Sequence, residues 1–441
     1  MKLNPEFCRN LWLEWSIHRV VFVVGVLTGV FVLARLFGTN NVVANAALAT
    51  FILTAVLWGA HRAADSMIEE LRERTWDSQR MSALDPWSMT WGKLAGATVI
   101  PWFAGFISLA VYVLEKSGPS AWERVQVAIL CIAGAILVQS LSLIGALVGT
   151  HLEKHGRSTL TSWAAVGAIV LLSIYFANYL RTDDVIVWYG GVYERFDFLC
   201  LSLVTLSIWF THGAYRCMCT ELAVATRPWV WLSFVVFLIV YATGGVVPLD
   251  WQVTQVLSVA TAIGLAVCGL ASYIAAFARY RDPLSFRRLK IYALANQWRR
   301  FFEELPIWIV SMALGTFFVL ACSALHFTPS YSAKWVEHIG FSAIAIWLLA
   351  VRDIAILYFF TYGDARKRVE TSTIICLALL YWLLPCIIES VGFVKTSWLL
   401  RPPIEDRPIL SAVIIAVHVA IAGTLAVQRY RRRIAPNLSA S

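Results

Sequence analysis

At 441 residues, 59% apolar and only 14% charged, with a mean hydropathy of +0.69, the chain is excluded from the ordinary water-soluble globules, in which about a quarter of residues are charged. Its net charge of +9 would suit nucleic acid or anionic lipid. The basic residues sit beside the ends of apolar runs, where lipid headgroups account for them, so nucleic acid is set aside as a partner. What remains is an all-α polytopic membrane protein.

Taken from the N-terminus, Asn4-Pro5-Glu6 is a helix start, with a capping residue, a proline at the first helical position and an acid in the first turn. Phe7, Leu11 and Trp15 then recur at helical spacing, predicting an interfacial helix within 1–19, with Glu6, Arg9, Asn10 and Glu14 turned largely to water. A solvated tail ahead of an anchor is the alternative. No cleavage site for a signal peptide follows, and the first apolar run is long enough to remain as an anchor.

Runs long enough to cross roughly 30 Å of hydrocarbon then recur along the chain, about twelve in all. They are expected near 20–37, 42–61, 94–114, 125–149, 160–180, 196–215, 229–248, 254–278, 306–325, 338–362, 371–392 and 409–428. The spans divide into two six-helix halves, 20–227 and 228–428, joined near Arg227-Pro228, with a basic tail at 429–441. In each half the longest basic loop follows the second span: 62–93 in the first and 279–305 in the second. Lys and Arg concentrate in these loops and in the tail, so the positive-inside rule places both termini in the cytosol. Connections on the other side, at 181–195, 326–337 and 393–408, are short. Trp12, Trp15, Trp87, Trp91, Trp188, Trp251 and Trp398 fall near predicted interfaces and read as an aromatic belt.

Segment 62–93 carries nine charges between Arg62 and Arg80. The second span is expected to continue through it as a helix, with Glu70 and Arg74 four apart in the favourable acid-first order and Glu69 and Glu73 on an adjoining face. Pro86 should break that helix, Asp85-Pro86-Trp87-Ser88 should turn the chain, and Gly92-Lys93 lead into span 3. A solvated loop that merely returns the chain to the membrane is the plainer reading, but such a loop needs only a few residues.

The series Glu70, Arg74-Thr75, Pro86, Gly92-Lys93 resembles the exporter-type permease subunits of ATP-binding-cassette (ABC) transporters. Those proteins have an interfacial elbow helix, six spans per half and a cytosolic coupling region after span 2. The resemblance runs over residues 1–115, opening with NPEFCRNLWLEWSIHR, and is topological beyond. It implies docking on a cytosolic ABC ATPase subunit through Glu70, Arg74, Thr75 and Asp77, with Pro86 and Gly92 shaping the turn and Lys93 anchoring at the headgroups. It also implies alternating access in a bacterial inner membrane. Loop 279–305 lacks the series, which leaves docking by the second half open. No G-x-x-x-x-G-K-[ST] phosphate loop occurs, so ATP and Mg would belong to the partner and this chain would be a transport subunit rather than an enzyme.

Other chemistries find partial matches in the sequence. Glu69, Glu70 and Arg74 also fit the E-E-x-x-x-R signature of membrane-embedded proteases, but no histidine has Phe four residues before it or Asn four after. His151 and His155 have metal-binding spacing without the Glu that zinc hydrolysis uses; Cys217 and Cys219 lack a second pair, so no metal site is expected. A twelve-span secondary transporter is the main alternative. Its candidate path residues are Arg352, Asp353 and Glu389, with Arg352 and Asp353, adjacent on a helix, expected to pair with other spans. Substrate identity is not encoded legibly; apolar walls suit a lipid, hydrophobic peptide or drug-like cargo.

Overall fold

The computed structural model describes residues 4–38, 41–82, 84–118, 120–154, 185–247, 253–278, 282, 284–326, 339–363, 369–393, 397–400 and 407–434. The described chain is almost wholly helical, and nine of its helices are long and apolar enough to cross a membrane, or ten if the bent pair Pro86–Gly96 and Val99–Glu115 is one span. This is an all-α polytopic membrane protein. The predicted span at 229–248 carries a shorter apolar helix, Trp229–Gly244, and the one at 160–180 lies outside the described residues. The described chain divides into two compact units, one running up to Thr226 and the other starting at Arg227, with 152–154 and 187–191 grouped in the second.

The first unit opens with α1 (Pro5–Glu14), whose N-cap Asn4 accepts from the amides of Glu6 and Phe7 at 3.0 and 3.4 Å. Then come α2 (Ile17–Phe37), α3 (Val42–Arg72), α4 (Trp76–Arg80), α5 (Pro86–Gly96), α6 (Val99–Glu115), α7 (Ala121–Lys154) and α8 (Arg195–Glu221). Between α7 and α8 lies a two-stranded hairpin, Val185–Trp188 with Gly191–Glu194. It turns at Tyr189 and Gly190, both at positive φ (47° and 72°), which is the backbone a tight hairpin demands.

Helix α3 is not α-helical throughout, for Ile52–Trp58 widens into a π-helix. Gln139 of α7 meets the widened turn: its Nε2 donates to the Ala55 carbonyl at 2.8 Å, and its Oε1 accepts from Trp102 Nε1 at 3.2 Å. A buried backbone acceptor thus keeps a partner, as an apolar interior requires. Gly59 makes room, since a Cβ there would lie 2.4 Å from that Nε2.

The second unit contains α9 (Trp229–Gly244), α10 (Val253–Ala278), α11 (Ser285–Leu294), α12 (Trp298–Glu304), α13 (Ile307–His326), α14 (Ile339–Thr361), α15 (Val369–Ser390) and α16 (Pro408–Ile434). Its core joins Val235 and Ile239 of α9 to Cys268 of α10, Val319 and Cys322 of α13 and Trp347 of α14. Helix α15 also contains a π-stretch, Leu379–Leu383. All nine cysteines are free thiols.

Candidate functional site

The charged segment is ordered, and it turns earlier than its sequence predicts. Helix α3 ends at Arg72, before Pro86 is reached, because Arg74 adopts the left-handed conformation (φ 58°). The amide of Thr75 donates to the Glu70 carbonyl at 2.9 Å and that of Arg74 to the Leu71 carbonyl at 3.2 Å, the paired bonds of a Schellman C-cap. The five-residue α4 follows at once. Pro86 starts a helix where it was expected only to break one: Asp85 caps α5, its carboxylate accepting from the amides of Trp87 and Ser88 at 3.1 Å each and from the Ser88 hydroxyl at 2.6 Å. The Ser88 hydroxyl, opposed by burial and aided by the two amides, holds the Asp85 carboxyl below the usual carboxylate range.

Trp76 is the segment's apolar pin. It is 1% exposed, in a core built from Ala63 and Met67 of α3, Met89 and Leu94 of α5, Leu143 and Leu147 of α7, and Ala214 and Met218 of α8. Burying an indole in this way is worth several times the stabilisation of any surface contact in the segment. Segment 62–93 is therefore fastened to two other spans of its unit.

An ionic cluster, buried except at the half-exposed Arg9, lies beside this pin. Glu70 accepts from Arg9 on one oxygen and from Lys93 on the other. Arg9 also pairs with Glu6 at 2.7 Å, and Lys93 donates to the Ser66 carbonyl at 3.3 Å while its ammonium stands 5.7 Å from the Trp76 ring centroid. Asn10 donates to Glu6 at 3.0 Å and to the Gly92 carbonyl at 3.2 Å, and Asn4 to the Ser88 carbonyl at 2.7 Å. Two carboxylates and two cations balance, which is what makes charge tolerable away from water.

Three expectations are corrected here. Lys93, expected at the headgroups, is 0% exposed and neutralises Glu70. Glu70 pairs with Arg9 and Lys93 in place of Arg74, because the left-handed turn takes Arg74 off the helix face. On α1, Glu6 and Asn10 are buried, at 2% and 7% exposure, whereas Trp12 is 81% exposed and Trp15 47%. Glu6 and Asn10 thus face protein while Trp12 and Trp15 face out, since in a bilayer the protein interior is the better solvent for charge.

Close approach of α1 depends on two glycines four apart. A Cβ on Gly92 would lie 2.3 Å from Glu6 Cγ, and one on Gly96 would lie 2.8 Å from Asn10 Cβ. Small residues at this spacing let helices meet backbone to backbone. Gly92 thus admits α1, in addition to standing where the chain re-enters the third span.

With Glu70 and Lys93 withdrawn, the outward face consists of Arg72, Glu73, Arg74, Thr75, Asp77 and Arg80, all exposed. Sequence reasoning missed Arg9, Glu6 and Trp76 as members of this site. The Gly-x-x-x-Gly spacing at Gly92 and Gly96 was the available signal for a partner helix.

In the second unit, Arg352 and Asp353 are 2% and 3% exposed; they form an ion pair with each other, which was not expected of adjacent helix residues, and also meet other spans, as expected. Arg352 donates to Asp353 Oδ1 from Nε at 3.0 Å and from Nη2 at 2.9 Å. The hydroxyls of Tyr273 and Tyr381 donate to Oδ2 at 2.7 and 2.8 Å. Both carboxylate oxygens are thereby satisfied. Tyr381 stands within the π-stretch of α15, its ring 4.6 Å from the Arg352 guanidinium carbon. Glu389, expected within the bilayer, is exposed near the end of α15 and accepts from Ser397 at 2.8 Å.

No group of three His, Cys, Asp or Glu converges as a metal site among the described residues, and His155 lies outside them. Glu69 and Glu70 diverge: Glu69 is exposed with Arg62 at 3.5 Å, whereas Glu70 is consumed by two cations, so they do not form a water-activating pair. No family model, curated protein or solved structure matches this chain.

Proposed function

We propose that this chain is the membrane-spanning permease subunit of an ABC exporter, moving a hydrophobic substrate by alternating access driven by a separate cytosolic ATPase subunit that carries ATP and Mg. The observation that carries the reading is a stiff projecting knuckle, 72–81. Its outward face mixes acids and bases, and its inward face is fixed to the spans by Trp76 and by the Glu6, Arg9, Glu70, Lys93 cluster. A soluble motor can move spans only through an element that does not yield, and this one is braced on α3, α5, α7 and α8. The resemblance of residues 1–115 to permeases supplies the partner's identity. In this reading the termini are cytosolic, the membrane is a bacterial inner membrane, and Glu73, Arg74, Thr75 and Asp77 meet the ATPase while Glu70 positions them.

The test is affinity purification of the tagged chain in mild detergent, with mass spectrometry for a co-purifying phosphate-loop ATPase. Recovery is expected with wild type and reduced by at least about tenfold with Asp77→Arg plus Glu73→Arg, exposed substitutions that leave the core intact. Absence of any such ATPase from the wild-type preparation overturns the reading. One observation favours the secondary-transporter alternative, the buried Asp353 with its two tyrosines, since ion-coupled carriers use intramembrane acids. Proton-dependent transport abolished by Asp353→Asn, in a preparation free of ATPase, would establish it instead.

A further inference from the structure

Helix α2 is weakly covered by its own unit: only 6% of its apolar window is buried, with Val23 and Leu27 packed on Ile100 and Ala104 of α6. Beside that contact, α2 and the π-stretch of α3 diverge to leave an open groove of about 600 Å³. Its walls are apolar, formed by Val26, Val30, Leu53 and Ile100, and its mouth is polar, formed by Glu14, Arg19 and Arg62.

Glu14, the last residue of α1, serves both arginines. Arg19 Nη1 donates to its carboxylate at 2.8 Å and to its carbonyl at 3.3 Å, and Arg62 Nη2 donates to the other carboxylate oxygen. Two guanidiniums thus share one carboxylate at the mouth, Arg62 meeting Glu69 as well at 3.5 Å, and Arg19 remains 55% exposed with further N–H groups to donate. From Arg19 to Val30 the wall is about 16 Å long at 1.5 Å per residue, close to one leaflet of a hydrocarbon core roughly 30 Å thick. An exposed guanidinium, Arg19, at headgroup level above an apolar trough one leaflet deep is complementary to one chemistry.

We propose that this groove binds the acyl chain of an anionic phospholipid, whose headgroup phosphate is held by Arg19 and Arg62. The guanidinium fork suits phosphate oxygens, and Glu14 sets both arginines in place. A helix from a second copy would fill the apolar trough, but the exposed Arg19 at the mouth calls in addition for an anion, which a phospholipid headgroup supplies at that depth, and for that reason lipid is the occupant. The inference rests on the membrane-spanning fold and is independent of any ATPase.

Native mass spectrometry of the purified full-length protein, with phosphatidylglycerol and phosphatidylcholine as probes, tests it. Wild type is expected to retain phosphatidylglycerol over phosphatidylcholine by at least about fivefold. Leu53→Trp, which fills the trough, and Arg19→Gln, which removes the exposed guanidinium, should each lower phosphatidylglycerol retention by about fivefold or more. Leu320→Trp, an exposed span position in the second unit, should leave it unchanged. Arg19 is exposed, so Arg19→Gln gives a readable result even if the bulkier variant fails to fold. Equal retention of the two lipids, retention unaffected by Arg19→Gln, or a dimer that Leu53→Trp dissociates would each overturn the proposal, the last by giving the groove to a second copy.

Discussion

Segments 62–82 and 284–305 share a backbone plan and differ in what they do with it. In the first, α3 ends in a Schellman cap with left-handed Arg74, and a short helix begins at Trp76. In the second, α11 ends with left-handed Asn296, the Gln297 amide donating to the Tyr292 carbonyl at 2.9 Å and the Asn296 amide to the Ala293 carbonyl at 3.2 Å, and a short helix begins at Trp298. Tyr292 thus occupies the place of Glu70. There the likeness stops: Trp76 is 1% exposed and Trp298 54%. The acid-to-base contacts of the second loop, Arg288 with Glu304 at 2.6 Å and with Asp282 at 2.8 Å, are half-open to solvent. Hydrogen bonding to Glu304, then to Asp282, raises the Arg288 pKa further, which leaves it a fixed cation. One turn geometry can therefore make either a pinned lever or a surface knuckle, and the choice lies in the side chain at the cap's start and in the presence of a helix such as α1 to close over it.

The comparison can be broken most sharply at the two tryptophans. Trp76→Ala should cost about 3–5 kcal/mol, whereas Trp298→Ala should stay within about 1 kcal/mol, as read from thermal unfolding in detergent. Equal losses would mean that the loops are alike after all. The ionic cluster comes next. Glu70→Gln leaves two cations facing a single acid and should cost roughly 3 kcal/mol. The double change Glu70→Leu with Lys93→Met should recover much of that, and Glu304→Gln in the second loop should cost less than about 1 kcal/mol.

Gly92→Ala should destabilise by about 1–3 kcal/mol and expose α1 to protease, because a Cβ there meets Glu6. A silent Gly92→Ala would show that α1 is not clasped.

Arg74→Gly should raise stability by up to about 1 kcal/mol by relieving the left-handed strain, and Asn296→Gly by less, since Asn tolerates that region. The smallest effect concerns Asp85. Its folded pKa is depressed, so its cap contributes fully above the unfolded value of about 3.9 and is lost as pH falls through the folded value. Asp85→Asn keeps the acceptor without titrating, so the gap between wild type and this variant should change only in that acid window.

Much of the helical architecture was legible because long apolar runs admit little else: the runs near 20–37, 42–61 and 409–428 are helices as expected. The helix start at Asn4-Pro5-Glu6 was equally readable, since a capping side chain and a proline act locally. Facing was not. In water the polar stripe of α1 would turn outward; beside a bilayer Glu6 and Asn10 find better partners inside, and periodicity alone cannot tell the two apart. The turn at Arg74 is hidden because left-handed caps are usually signalled by glycine, and the hairpin at 185–194 because Trp188-Tyr189-Gly190-Gly191 between two apolar runs reads as a plain connection. The cluster around Glu70 joins residues more than sixty positions apart, a distance over which no local pattern speaks.

The widened turn in α3 has a consequence for how Glu70 comes to face Lys93. A π-turn amounts to one residue more than the α-helix needs, so everything after it is rotated by about 100° relative to an uninterrupted helix. Were 52–58 wound as plain α-helix with no residue removed, Glu70 would swing by that angle away from Arg9 and Lys93, whereas removing one residue would close the turn, leave Glu70 in place and release Gln139 from the Ala55 carbonyl. The azimuth of the charged segment is thus set deep in the hydrocarbon, some turns away from any charge it carries.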